Sequence, residues 1–211
     1  EINNSPKKLI FHEEARSTLL KGVKQLADAV RITMGPGGLN VVIEQPSKVP
    51  ILTKDGVTVA KAVNLPNKME NLGVQLVKEA AQGAADIAGD GTTTATILAY
   101  SLFSLGLRAI NAGHNPVKVR NGMKVATGKI IEDIKNKSKK ITSDEEIIQV
   151  GTISANGEKE IGKYLCEAMA TVGRDGVITV EEAKGFETSL TKVEGTRLNR
   201  GFLSPYFVND A

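Results

Sequence analysis

Ala88-Gly89-Asp90-Gly91-Thr92-Thr93-Thr94-Ala95-Thr96 lies between two long stretches of helical periodicity and opens the more apolar of them. Glycines on both sides of an aspartate let backbone pass close to a ligand. The free N–H groups at a helix start, together with the helix dipole, favour an anion such as a phosphate. Thr92, Thr93 and Thr94 add three hydroxyl donors. Asp90 would repel a bare phosphate but suits a Mg2+ ion that bridges phosphate oxygens. The same residues also read as a plain capped helix start with Asp90 or Thr92 as N-cap. The run of β-branched threonines argues against that bland reading, because capping alone does not call for it. The pattern GxxxxGK[ST] is absent, which excludes a P-loop.

Working outward, residues 12–34 predict an amphipathic helix, with Leu19, Leu20, Val23, Leu26, Ala27, Val30 and Met34 at spacings of three and four. Gly35-Pro36-Gly37-Gly38 ends it. A strand is expected at Asn40–Glu44, and Ile51–Thr53 with Val57–Val59 read as a hairpin turned by Lys54-Asp55-Gly56. Asn67–Ala88 reads as a helix, and Thr92–Ala112 as a nearly all-apolar helix expected at the buried centre of a domain. A further helix runs from Pro116, which costs nothing in a first turn, to about Lys137. Beyond Lys140, Thr142-Ser143-Asp144-Glu145 starts a helix, and Glu158–Val172 is another, stopped by Gly173. Short strands are expected at Gly176–Val180 and Thr191–Val193. The fold class is therefore mostly α with small β-hairpins and short strands, with soft boundaries near Lys137–Ile141 and near Gly195. The apolar run Leu203–Val208 predicts that the chain continues past residue 211.

Composition excludes several functions. Of 211 residues, 41% are hydrophobic and 24% charged, as in ordinary globular proteins. Aromatics at 4%, with no Trp, argue against stacking on nucleic-acid bases. A formal charge of +3 is small, and the four lysines within Lys135–Lys140 read as a solvated helix end. No uninterrupted apolar run reaches the ~18 residues of a membrane span. Cys166 stands alone between Leu165 and Met169, so it is expected to be a buried structural thiol. His12 and His114 have no Cys or His partners at ligand spacing, which leaves neither a zinc site nor a Ser-His-Asp relay.

Two further segments suit the same nucleotide. Thr33-Met34-Gly35-Pro36-Gly37-Gly38 brings glycine-rich backbone to a helix end, and Lys54-Asp55-Gly56 offers a cation beside a carboxylate. Either alone is more often only a turn. Three in one short stretch are harder to dismiss.

Thr33-Met34-Gly35-Pro36, Thr53-Lys54-Asp55-Gly56-Val57, the Ala88–Thr96 stretch, Val150-Gly151-Thr152-Ile153-Ser154-Ala155-Asn156 and Arg200-Gly201-Phe202-Leu203-Ser204-Pro205-Tyr206-Phe207 together resemble the group I chaperonins, the sixty-kilodalton stress proteins of bacteria, mitochondria and plastids. The likeness runs in order from about Lys8 to Val208. It implies an ATP-driven protein-folding subunit of a heptameric ring, with an isomerase-like folding role. Unfolded client proteins and a ten-kilodalton co-chaperonin would be its partners, and the bacterial cytoplasm or an organellar matrix or stroma its compartment. By the same likeness, 1–137 is a first equatorial segment, 138–194 a first intermediate segment and 195–211 the entry to an apical domain. The cofactors implied are ATP and Mg2+. Thr33, Met34, Gly35 and Pro36 would contact nucleotide, Lys54 would meet phosphate, and Asp90 would hold the metal. Gly91, Thr92, Thr93 and Thr94 would wrap the phosphates, Asp55 would position the attacking water, and Ile153 would lie near the nucleotide. Gly37 departs from a common lysine, and Lys140 from a common hinge proline. In the family a later return of the chain supplies the principal hydrolytic aspartate and the residues on base and ribose. Weak nucleotide binding and negligible turnover are therefore expected of 1–211. The alternatives are a small self-contained nucleotide-binding phosphotransferase or sensor, and a structural module whose glycine loop is only a cap.

Overall fold

The computed structural model describes residues 8–173, 176–181, 188–193, 204 and 206. The motif over 200–207, apart from Ser204 and Tyr206, and the boundary near Gly195 lie outside them. The chain divides into two compact units, 1–139 and 140–211. In the first, α1 (His12–Arg31) is followed by β1 (Val41–Ile43), β2 (Ile51–Thr53), α2 (Gly56–Ala62), α3 (Lys68–Ala88), α4 (Thr92–Asn111) and α5 (Pro116–Lys137). The second contains α6 (Asp144–Ser154) and α7 (Lys159–Val172).

Aliphatic stripes build the core of the first unit. Val23, Leu26 and Val30 of α1 meet Val74 and Val77 of α3 and Val59 and Ala60 of α2, with Ile97, Tyr100 and Phe103 of α4 packed against them. Burying such side chains contributes about 1.5–3 kcal/mol each. Helices α1 and α3 cross closely because each presents a glycine to the other's backbone. A Cβ on Gly22 would overlap the Glu70 carbonyl, and one on Gly73 the Leu19 carbonyl. Side chains close the helix starts. Asn67 accepts from the Met69 and Glu70 amides, Asn115 from those of Val117 and Lys118, and Ser143 forms a capping box with Glu146.

Several sequence expectations change. Val57–Val59 is not a hairpin strand. Ile51–Thr53 pairs instead, antiparallel, with β1, in the register Val41 with Thr53 and Ile43 with Ile51. Residues 56–62 wind into α2, because Asp55 caps the helix and burial of Val59 and Ala60 in the core overrides β-propensity. Helix α1 ends at Arg31, three residues early, and Thr33 and Met34 continue as tight turns onto Val30 and Arg31. Helix α4 is not buried throughout. Thr92, Thr96 and Leu107 are buried, whereas Leu98, Leu102 and Leu105 are exposed. Helix α4 is long and apolar enough to cross a membrane by length and composition alone, but its Ile97, Tyr100 and Phe103 pack on the α1–α3 core. Residues 176–180 and 191–193 are irregular rather than strands. Cys166 is half-buried rather than buried.

Candidate functional site

The three segments singled out by composition meet around Gly56. A Cβ there would overlap Thr93 Oγ1 and lie 3.1 Å from Thr33 Oγ1, so only a bare Cα lets these hydroxyls flank the start of α2. Gly38 makes a second junction. Its missing Cβ would contact the Thr33 carbonyl and come within 3.0 Å of Lys54 Cε, which lays the lysine stem along the glycine loop. That loop is closed by the Gly38 amide donating to the Gly35 carbonyl at 3.0 Å and the Leu39 amide to that of Ile32 at 2.8 Å. Thr33 is buried, with its hydroxyl donating to the Val30 carbonyl at 2.8 Å. Met34, Gly35 and Pro36 are exposed beside it.

Asp55 is held tightly. Its Oδ1 accepts the Val57 amide at 3.1 Å, and its Oδ2 accepts the Thr58 amide at 2.9 Å and the Thr58 hydroxyl at 2.6 Å. Partial burial pushes its pKa up, but the Thr58 hydroxyl, the two amides and the charge of Lys61 outweigh that, and the net shift is downward. The carboxylate therefore stays ionised at neutral pH. A carboxylate so fixed is a weak base but a firm acceptor for orienting a water molecule.

At the start of α4, Gly89 and Gly91 adopt φ of 73° and 92°, left-handed values that favour glycine. Gly91 is the N-cap and supplies no side-chain acceptor. Asp90 does not cap the helix. Its Oδ1 accepts from the adjacent Gly91 amide at 2.6 Å, outside the first turn. Thr92 does not cap it either. Its Oγ1 is buried and has no hydrogen-bond partner among the described residues, a position that costs roughly 1–3 kcal/mol unless something satisfies it. Thr96, fully buried one turn on, donates to the Thr92 carbonyl at 2.9 Å. The plain-cap reading thus lacks its cap, while an acceptor from outside would meet unpaired N–H groups and an unpaired hydroxyl.

A metal has no protein cage here. Among the described residues no three of His, Cys, Asp and Glu cluster. Exposed Asp90 just before the start of α4 still fits Mg2+, which binds through one or two carboxylates plus substrate phosphates and water. Ile153 belongs to the second unit, where it is 75% exposed near the end of α6.

Sequence reasoning missed Thr58, which locks Asp55, and read Gly56 only as a turn residue. The signal was present as Asp55-Gly56-Val57-Thr58, an N-cap aspartate with a hydroxyl three residues on.

A family model described as the TCP-1/cpn60 chaperonin family matches residues 26–210. A group III chaperonin crystallised in the open state is 26% identical, with a TM-score of 0.64, covering 76% of this chain and 32% of its own. A chaperonin from the bacteriophage EL 2 (Pseudomonas aeruginosa), crystallised in the presence of ATP-BeFx, has a TM-score of 0.68 over 82% of this chain and 30% of its own; at 23% identity it speaks for the fold alone. The chain thus spans about a third of the length of these chaperonins. With most of its residues inside one family model, and an α-rich fold shared with solved chaperonins, this chain belongs to the TCP-1/cpn60 chaperonin family.

Proposed function

We propose that this chain contributes one wall of the Mg-ATP site of an ATP-driven protein-folding subunit. The observation that carries the reading is the buried, unpartnered Thr92 hydroxyl at an uncapped helix start, next in sequence to Thr93, whose hydroxyl meets that of Thr33 at Gly56. Backbone N–H groups of Thr92, Thr93 and Thr94, with the hydroxyls, hold phosphate oxygens. Lys54 adds a positive charge from the glycine-loop side. Thr33, Met34, Gly35 and Pro36 border the nucleotide, and Asp55 orients the attacking water. Asp90 would hold Mg2+, which would supply positive charge to offset that of the phosphates. Ile153 lies in the other unit, and the reading of the first unit stands without it.

Family membership supports the reading that the chain belongs to an oligomeric ring that takes unfolded proteins as clients. The heptameric state, the ten-kilodalton co-chaperonin and the bacterial or organellar compartment rest on the likeness to group I motifs. The 1–137, 138–194 and 195–211 segments are proposed as equatorial, intermediate and apical parts.

Titration calorimetry of the 211-residue chain with ATP, with and without Mg2+, tests the site. Weak binding that depends on Mg2+, is lost in Asp90→Ala and comes with negligible turnover is expected. Mg2+-independent binding, or binding indifferent to Asp90, contradicts the assignment, and brisk steady hydrolysis contradicts the single-wall reading.

A further inference from the structure

Helix α2 is fastened at both ends, and only one fastening belongs to the site. At its start Asp55 takes three hydrogen bonds. At its end the last carbonyls have no partner within the helix, and Lys78 of α3 reaches them. Its Nζ donates to the Val63 carbonyl at 2.6 Å and to the Lys61 carbonyl at 3.0 Å. A cation at a helix C-terminus also meets the negative end of the dipole. The ammonium is partly withdrawn from water, which pushes its pKa down, so the two carbonyls replace lost hydration rather than add to it. Asp55 and Val63, whose carbonyl Lys78 holds, flank the seven residues of α2, whose Val59 and Ala60 are buried in the core. A short helix with a buried middle moves as one piece, and a change at one end is felt at the other.

We propose that Lys78 is a positioning residue for the nucleotide site, setting through α2 where Asp55 and Gly56 stand against Thr33 and Thr93. The inference rests on the functional reading above. Gly56 leaves little slack there, because Thr93 Oγ1 and Thr33 Oγ1 already occupy the space a Cβ would take. Misplacement of a catalytic constellation by about 1 Å costs up to 100-fold, so a lost anchor at the far end is legible in binding.

The test compares Lys78→Met, which keeps the stem but removes the donors, with Lys78→Arg, which keeps donors, in the 211-residue chain. Mg-ATP affinity is read by calorimetry at a temperature where every variant is fully folded. Hydrogen exchange at the Val57 and Thr58 amides, the two bonded to Asp55, is read by NMR without nucleotide. The expected result is about tenfold weaker Mg-ATP binding in Lys78→Met. Faster exchange at Val57 and Thr58 should accompany it, with Leu26 and Val30 unchanged, and Lys78→Arg should recover both. Unchanged exchange at Val57 and Thr58 overturns the proposal. So does faster exchange with unchanged affinity, which would make Lys78 a helix cap and nothing more. If the parent chain binds no Mg-ATP, the functional reading fails on its own account, and the exchange comparison alone decides whether Lys78 sets the Asp55 end of α2.

Discussion

The first turns of α4 and its middle differ in what they bury. Thr92 and Thr96 are 5% and 0% exposed, whereas Leu98, Leu102 and Leu105 are 55%, 46% and 58% exposed. A helix placed only to fill a core would be arranged the other way round. At its start the helix keeps the Thr92 and Thr96 hydroxyls out of water, Thr96 donating back to the Thr92 carbonyl, while the Thr93 hydroxyl lies at Gly56. Further along it presents leucine to the surroundings of this unit. Burial at the start of α4 therefore involves hydroxyls, and burial further along involves the side chains packed on the α1–α3 core. The two follow different rules on one helix.

That contrast can be broken most severely at Leu107, which is buried two residues from exposed Leu105. Leu107→Ala should lower unfolding free energy by about 2–5 kcal/mol, and Leu105→Ala by no more than about 0.5 kcal/mol, both read by denaturant melts. Equal losses would mean that exposure along α4 does not report packing. Next in size is Gly56→Ala. Its methyl group must push Thr93 aside, which should cost about 1–3 kcal/mol and abolish measurable Mg-ATP binding. A variant that binds as the parent does would remove Gly56 from the site.

Thr92→Val sharpens the comparison because stability and function should move in opposite directions. Deleting an unsatisfied buried hydroxyl should stabilise the chain by roughly 1 kcal/mol while weakening Mg-ATP binding. Destabilisation would show that the hydroxyl already has a partner. The smallest effect concerns acid. A depressed carboxyl pKa contributes stability that is present above the unfolded-state value and is lost as pH falls through the folded value. For Asp55 that window opens near an ordinary aspartate pKa of about 3.9 and extends below it. Asp55→Asn keeps a good cap but drops the proton linkage. Its melts should therefore fall less steeply than the parent's between about pH 4 and pH 2. Parallel curves would deny the shift.

Long periodic elements were legible in the sequence. The apolar spacing of α1, the Asn-Pro start of α5 and the Ser143–Glu146 capping box all state their helices locally. Residues 57–59 were not, because Val57, Thr58 and Val59 carry β-propensity, and only tertiary burial together with the Asp55 cap turns them helical. Composition pointed to the phosphate-suited segments, but their meeting at Gly56 depends on backbone approach that no local pattern encodes. Lys78 was invisible for a related reason. Its partners are main-chain carbonyls 15 and 17 positions away, and a carbonyl has no letter in a sequence. The exposure of α4 also escaped, since apolar content says what a helix prefers to touch and not what is there to touch it.

The central claim is that the start of α4 collects phosphate together with the 33–38 and 53–56 segments. Amide chemical-shift mapping of the 211-residue chain on titration with Mg-ATP tests it most directly. The account predicts the largest changes at Gly91–Thr94, with smaller ones at Gly35–Gly38 and Lys54–Gly56. Shifts centred elsewhere, with Thr92, Thr93 and Thr94 unmoved, would contradict it.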